Sequence, residues 1–153
     1  MAWTSPRTWV AGETLTAALL NQHVRDNQKA IGDAWTAYTP TLGNWTLGNG
    51  TWSAAYIQAG KLIHFRANLT VGSTTSISGS PTITLPVTAI AARAASFPGG
   101  AYDLSATTNY ELGAFHTTTT VSFRSAGAAL SSTVPFTWAT GDEVYVSGTY
   151  EAA

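Results

Sequence analysis

The sequence between residues 63 and 71 alternates without interruption between apolar and polar side chains. Successive side chains of a β-strand point to opposite faces, so this pattern predicts a strand with one buried face and one solvated face. Half-buried strands of this kind are typical of antiparallel sheets. The apolar members are Ile63, Phe65, Ala67, Leu69 and Val71, and the polar members are His64, Arg66, Asn68 and Thr70.

Shorter alternating runs recur along the chain, and turn-forming residues separate them. The runs cover 110–114, 119–124, 134–138 and 144–150, and the turn signals lie at 48–50, 60–61, 79–81, 98–100 and 141–142. Many short strands divided by Gly, Pro and Asn turns are typical of sandwiches and jelly rolls. We therefore expect a mainly β fold, an antiparallel β-sandwich of the jelly-roll kind with about eight strands.

A helix pattern lies near the start of the chain. Thr16 is placed to cap this helix, and Gly32 offers a stop. Spacings of three and four then put Ala17, Leu20, Val24, Asn27 and Ile31 on one face. This face fits a heptad but is too short for an independent coiled coil, which needs about three to four heptads. It could pack on its own β-domain, on an oligomer already assembled, or on another protein.

An extended arm from Trp3 to Gly12 precedes the helix. A segment of this length cannot bury its two tryptophans by itself, so it should dock on a neighbouring copy or on another protein. We divide the chain into an anchoring arm and helix at 1–34 and a β-sandwich domain at 35–153. The residues predicted to form the anchor are Trp3, Trp9, Val10, Leu20, Val24 and Ile31.

The surface of this chain must be polar but nearly uncharged. Charged residues make up only 10% of the sequence, against about 25% in typical soluble domains. The formal net charge is −1 and no cluster of Lys and Arg occurs, so nucleic-acid binding is not expected. The chain has no cysteine, and no segment approaches the roughly 18 apolar residues of a membrane span. Thiolate metal sites and membrane insertion are therefore not expected either.

The sequence contains no motif that predicts catalysis, a cofactor or a metal site. The histidines are isolated from one another along the chain, and His64 falls on the polar face of its strand. His116 would become a metal ligand only if a symmetry axis joined three copies. Asp142 and Glu143 follow a glycine between two apolar runs, which indicates a hairpin turn. We expect a protein that is not an enzyme and carries no cofactor.

Aromatic residues interleaved with small polar residues cluster between 35 and 56. Flat aromatic faces beside Asn and Thr are typical of sugar-binding surfaces, whereas tryptophans in small sandwiches are more often core or interface anchors. Trp45 and Trp52 are the candidates for glycan contact. We expect the exposed loops to include 47–52 or the turn at 98–100.

The N-terminal run from Thr4 to Asn21, with His23-Val24-Arg25-Asp26-Asn27 after it, resembles the opening of tailed-phage fibre and minor tail proteins. Many of those begin with Trp-x-x-Gly-Glu-x-Leu-Thr-Ala-x-x-Leu-Asn followed by Val-Arg-Asp. Four later stretches also look like the β-domains of such fibres: 38–41, 47–51, 56–63 and 135–142. The resemblance implies a homotrimer whose N-terminal segments attach to other virion proteins and whose β-domains are exposed for host attachment.

The resemblance leaves other assignments open. The chain has no shaft repeat, so a capsid decoration or head-fibre protein that binds no receptor is one alternative, and a carbohydrate-binding module is a more distant one. Either virion assignment implies assembly in the host cytoplasm and exposure on the finished particle. Partners would then be two further copies, tail or capsid proteins, and a host surface glycan if a receptor exists.

Overall fold

The computed structural model describes residues 5–32 and 34–153, and it begins with an extended arm that leads into a helix. The helix is α-helical over Ala17–Leu20 (α1) and Asp26–Gly32 (α2), and the turn between them, Asn21–Arg25, is π-helical. Thr16 caps it, because its hydroxyl oxygen accepts a hydrogen bond from the Leu19 N–H at 3.3 Å. The predicted helix with its cap is confirmed.

The remainder of the described chain forms a 10-stranded antiparallel sheet, which confirms the predicted mainly β, sandwich-like fold. In sheet order the strands run β1-β3-β4-β10-β6-β7-β8-β5-β2, and β9 pairs with β8. The strands are β1 Thr36–Ala37, β2 Leu42–Thr46, β3 Thr51–Ala59, β4 Leu62–Thr70, β5 Ser76–Thr84, β6 Ser96–Asp103, β7 Thr108–His116, β8 Thr120–Ser125, β9 Ala128–Ala129 and β10 Glu143–Glu151.

The sheet is curled, so that β2 and β3, which are not paired by hydrogen bonds, face each other through their side chains. The rings of Trp45 on β2 and Trp52 on β3 meet edge to face, with centroids 5.9 Å apart. The space inside the curl is filled by the inward residues of every long strand, and Ile63, Phe65 and Leu69 of β4 are fully buried. The period-two pattern therefore forms the core as expected.

Three sequence predictions about local structure are wrong. Residues 98–100 lie inside β6 and residues 79–81 inside β5, where turns were expected. The Gly pair of β6 serves close packing, since a Cβ on Gly100 would collide with the ring of Tyr145. In β5, Ser80 has a φ of 56° and lies where the register with β2 shifts, which is a bulge instead of a turn.

The predicted strand at 134–138 is instead a loop that packs its aromatic residues inward. Phe136 is buried between Tyr110 and Trp138, with ring centroids 5.0 and 4.5 Å away. The Trp138 indole N–H donates to the Ser131 carbonyl at 2.8 Å. Pro135 has no N–H group to donate to a neighbouring strand, which disfavours a β-strand here. The alternating pattern at 134–138 therefore reflects the packing of loop side chains.

Two buried tyrosines make the fold sensitive to high pH. Tyr150 donates to the Val87 carbonyl at 2.7 Å, and its burial raises its pKa to about 12; burial also raises the pKa of Tyr38. Because the neutral phenol is favoured in the folded state, this stability is fully present below pH 10 and is lost as the pH rises toward 12.

We therefore expect the melting temperature to be level from pH 8 to about 10 and to fall above that. Calorimetry across this range measures it, with Tyr150→Phe as the comparison. At pH 8 the Tyr150→Phe variant should have a lower melting temperature than the wild type, because it loses the hydrogen bonds to Val87. Above pH 10 its melting temperature should fall less steeply with pH. An equal fall in the two proteins would contradict the assignment of the pH dependence to Tyr150.

Candidate attachment groove

The arm and the helix together form an apolar groove on the surface. It has a volume of about 420 Å³ and is lined by Trp9, Val10, Glu13, Leu15, Leu20 and Val24. The five apolar members of this lining are between 41% and 67% exposed. Contiguous exposed apolar residues in a soluble protein mark a surface that something else covers. We call this lining the attachment groove.

A tight turn bends the arm back over the helix. The Glu13 N–H donates to the Val10 carbonyl at 3.1 Å, and Gly12 takes a φ of 83°, which favours glycine. The Glu13 carboxylate forms an ion pair with Arg7, and the Arg7 guanidinium lies 5.1 Å from the centre of the Trp9 ring. These contacts fix the Trp9 side chain at one wall of the groove.

The opposite wall is the first half of the helix. The Asp26 N–H donates to the Asn21 carbonyl, five residues back, so the helix is widened between Leu20 and Asp26. Val24 lies within this wider turn, one turn after Leu20. The Trp9 ring contacts His23 edge to face with centroids 6.2 Å apart, which joins the arm to the helix.

The structure brings four of the six predicted anchor residues together in the attachment groove: Trp9, Val10, Leu20 and Val24. Trp3 and the side chain of Ile31 lie outside the described residues. Sequence reasoning missed Leu15, which directly precedes the cap and is placed in the groove by the bend of the arm. An exposed leucine just before an N-cap is the signal that could have indicated it.

The predicted helix face divides into two parts. Leu20 and Val24 face the groove, whereas Asn27, one turn further on, is buried. The second half of the helix, α2, lies beside β3. The π-helical turn accounts for this division, because its extra residue rotates the later side chains around the helix axis. The helix thus offers its first half outward and contacts its own β-domain with its second.

The two tryptophans predicted for glycan contact lie elsewhere and point into the curl of the sheet. Trp45 is 8% exposed, its ring contacts Phe123, and its indole N–H donates to the Thr82 carbonyl at 2.9 Å. A ring buried to this extent has no free face for a sugar, so the predicted contact at Trp45 is not supported. Trp52 is half-buried against Trp45 and packs on the core, which is the alternative role for both residues.

His116 is buried and both of its ring nitrogens are used within the chain. Nδ1 donates to the Thr117 carbonyl at 2.7 Å, and Nε2 accepts from the Ala95 N–H at 3.0 Å. Its ring stacks on Phe97 with centroids 5.2 Å apart. Ligation by a metal on a symmetry axis would require breaking one of these bonds, so His116 is a core residue here.

Asp142 holds two loops together at one end of the sheet. Its side chain is buried, Oδ1 accepts from the Leu104 N–H at 3.0 Å, and Oδ2 accepts from the Ala139 N–H at 2.6 Å. A turn lies here at Thr140 and Gly141, but it is not the expected hairpin, because the residues before it form a loop and only β10 follows it. Nothing in the local sequence indicates that this carboxylate is internal.

Within residues 5–32 and 34–153 no group of three or more His, Cys, Asp or Glu side chains is placed to hold a metal ion. Over the same residues, no helix is long and apolar enough to cross a membrane. Comparisons with models of known protein families, with curated proteins and with solved structures find no match to this chain.

Proposed function

We propose that this chain is a structural protein of a tailed-phage virion, of the tail-fibre or minor-tail kind. Its arm and helix attach it to another virion protein through the attachment groove, and its β-domain is carried outward toward the host. The observation on which this assignment chiefly depends is the grouping of Trp9, Val10, Leu20 and Val24 in one exposed apolar groove. These residues belong to the segment whose sequence resembles the opening of such fibre proteins.

The separation between the core of the β-domain and the attachment groove also supports an attachment role. The β-domain has a core of its own, built from residues of the sheet and its loops. The groove residues do not belong to that core, so they are free to be covered by a partner. An apolar groove beside an independently packed domain is the arrangement expected of an anchor.

Low charge supports assembly of the β-domain into a homotrimer. Only 10% of the residues are charged, and Glu111 and Arg124 are the two charged residues among the exposed and half-buried positions of β7 and β8. The uncharged polar residues at these positions are Thr108, Asn109, Thr120, Ser122 and Ser125. Such surfaces can be brought together without desolvating many ions, which is the main cost of burying a charged surface. Three copies would also present three attachment grooves to one partner.

The attachment groove is tested with Leu20→Asp and Val24→Asp combined in one chain. Incorporation into particles of the phage that encodes the chain should fall by about tenfold or more, because an unpaired carboxylate is costly at a covered apolar surface. Incorporation is measured by quantitative immunoblot of purified particles. Light scattering on the purified full chain should give a trimer for wild type and variant alike, because the changes lie outside the β-domain.

The matched control combines Gln22→Asp with Gln28→Asp, which adds the same charge to exposed helix positions outside the groove. This control should enter particles normally. Electron microscopy of labelled particles then distinguishes a tail position from a capsid position. A wild-type chain absent from particles would overturn the proposed function, and normal incorporation of the groove variant would overturn the role of the groove.

A further inference from the structure

A second cavity lies on the outer face of the sheet, where β3, β4 and β10 run side by side. Its volume is about 370 Å³, and the outward side chains that line it are Ser53, Arg66, Asn68, Tyr145 and Ser147. Small-molecule sites usually have volumes of about 300–1,000 Å³. The strand register explains the grouping, because Asn68 pairs with both Ser53 and Tyr145, and Arg66 pairs with Ser147.

The ring of Tyr145 forms a flat platform in this cavity. Tyr145 is directly opposite Gly100 of β6, and the ring lies over that glycine so closely that a Cβ there would collide with it. The hydroxyl end of the ring is therefore packed against this glycine. The side chain is still 39% exposed, so part of the ring is open to solvent. An aromatic ring that is held in place and partly exposed suits stacking on a flat apolar surface of a ligand.

Polar side chains surround this platform and are held in place by their neighbours. The Arg66 guanidinium lies 4.7 Å from the centre of the Trp35 ring, a cation–π contact that fixes its position. The Asn68 amide nitrogen donates to Glu143 Oε2 at 3.3 Å and carries a second N–H, whereas its oxygen Oδ1 is buried out of reach of a ligand. The cavity thus offers the N–H groups of Arg66 and Asn68 and the hydroxyl groups of its two serines to a ligand.

The charges around the cavity restrict the kind of ligand. Arg66 is the one charged side chain of the lining, whose other polar side chains are neutral, and the Glu143 carboxylate lies beside the cavity, bonded to Asn68. A strongly anionic ligand would meet the Glu143 carboxylate, and a purely apolar ligand would leave the polar groups without partners. A ligand that has hydroxyl groups at its edge and an apolar face matches both the platform and its surroundings.

We propose that this cavity binds one neutral sugar unit, with the sugar ring stacked on Tyr145 and its hydroxyl groups bonded to Arg66, Asn68 and the two serines. The inference rests on the proposed function only for the source of the sugar, which would be a glycan of the host surface. It places glycan recognition on the outer face of the sheet. The inward-pointing Trp45 and Trp52 take no part in it.

The test uses the purified full chain and the methyl glycosides of glucose, galactose, mannose and N-acetylglucosamine, titrated separately by saturation-transfer NMR. We expect saturable binding of at least one glycoside. Tyr145→Ala should weaken it by about tenfold or more, and Tyr145→Phe should keep most of it, since the ring remains. Arg66→Ala should also weaken binding. Melting temperatures confirm that each variant is folded.

Phe115→Ala is the matched control, because Phe115 on β7 is 38% exposed, against 39% for Tyr145, and lies outside the cavity. Binding of none of the four glycosides, or binding that Tyr145→Ala leaves intact, overturns the saccharide site. Loss of the trimer in Tyr145→Ala overturns it as well, because the face would then be an interface between copies. Particle incorporation of Tyr145→Ala should be normal, so failure of this site and failure of the attachment proposal give different results.

Discussion

Replacing Trp45 with alanine is expected to lower the free energy of unfolding by about 3–5 kcal/mol, the usual cost of emptying a buried tryptophan site. The ring fills the space where β2 faces β3 and contacts both Trp52 and Phe123. The change also removes the indole N–H that donates to the Thr82 carbonyl at 2.9 Å, so this carbonyl loses a hydrogen bond. In a domain of this size the melting temperature should fall by on the order of 10 °C, measured by calorimetry.

Trp52→Phe is the comparison for this result, since it changes the other member of the pair with little loss of volume. The Trp52 indole N–H is buried and has no partner among the residues that the structure describes. Removing an unpaired donor costs little, so the Phe variant should unfold within about 1 kcal/mol of the wild type. If both variants lost stability equally, the packing assigned to Trp45 would be incorrect.

Asp142→Ala is expected to lower the free energy of unfolding by about 2–4 kcal/mol, because a buried carboxylate that accepts two backbone hydrogen bonds is lost. The donors are the N–H groups of Leu104 and Ala139, which lie in two different loops. Chemical denaturation monitored by tryptophan fluorescence measures the change. Faster hydrogen exchange at both amides should accompany it.

Two further variants separate the bonding of Asp142 from its charge. Asp142→Asn keeps one acceptor oxygen and should lose about half as much stability as the alanine variant. Glu111→Gln removes one negative charge from an exposed position of β7 and should change stability by less than about 0.5 kcal/mol. A large loss in Glu111→Gln would indicate that net charge, instead of the two hydrogen bonds, determines the effect.

Much of the fold could be predicted from local patterns. The strand expected at 63–71 is β4, Leu62–Thr70, and the helix expected after Thr16 ends at Gly32. Both predictions depend on side chains that repeat with the period of one element, which the sequence displays directly. The local sequence also named Trp9, Val10, Leu20 and Val24 as anchor residues, although not their grouping in one groove.

The failures have a common cause, which is that contacts between distant segments decide them. The glycines at 99 and 100 look like a turn until β10 is placed beside them, with the backbone of Tyr145 against Gly99 and its ring against Gly100. The local sequence left glycan contact and core packing both open for Trp45 and Trp52, and the facing of β2 and β3 places both rings inward. No local pattern states which strand lies beside which, so the outer cavity could not be found from the sequence.

The place of β10 in the sheet has a consequence for how the chain folds. This strand is the last of the ten in chain order, yet it lies between β4 and β6 and pairs with both. Until it is added, two long strands have unpaired edges, and such edges are open to pairing with the wrong chain. Contacts so distant in sequence also slow folding, because their loop-closure entropy must be overcome first. The interval between synthesis of β4 and arrival of β10 is therefore when the chain is most prone to aggregate.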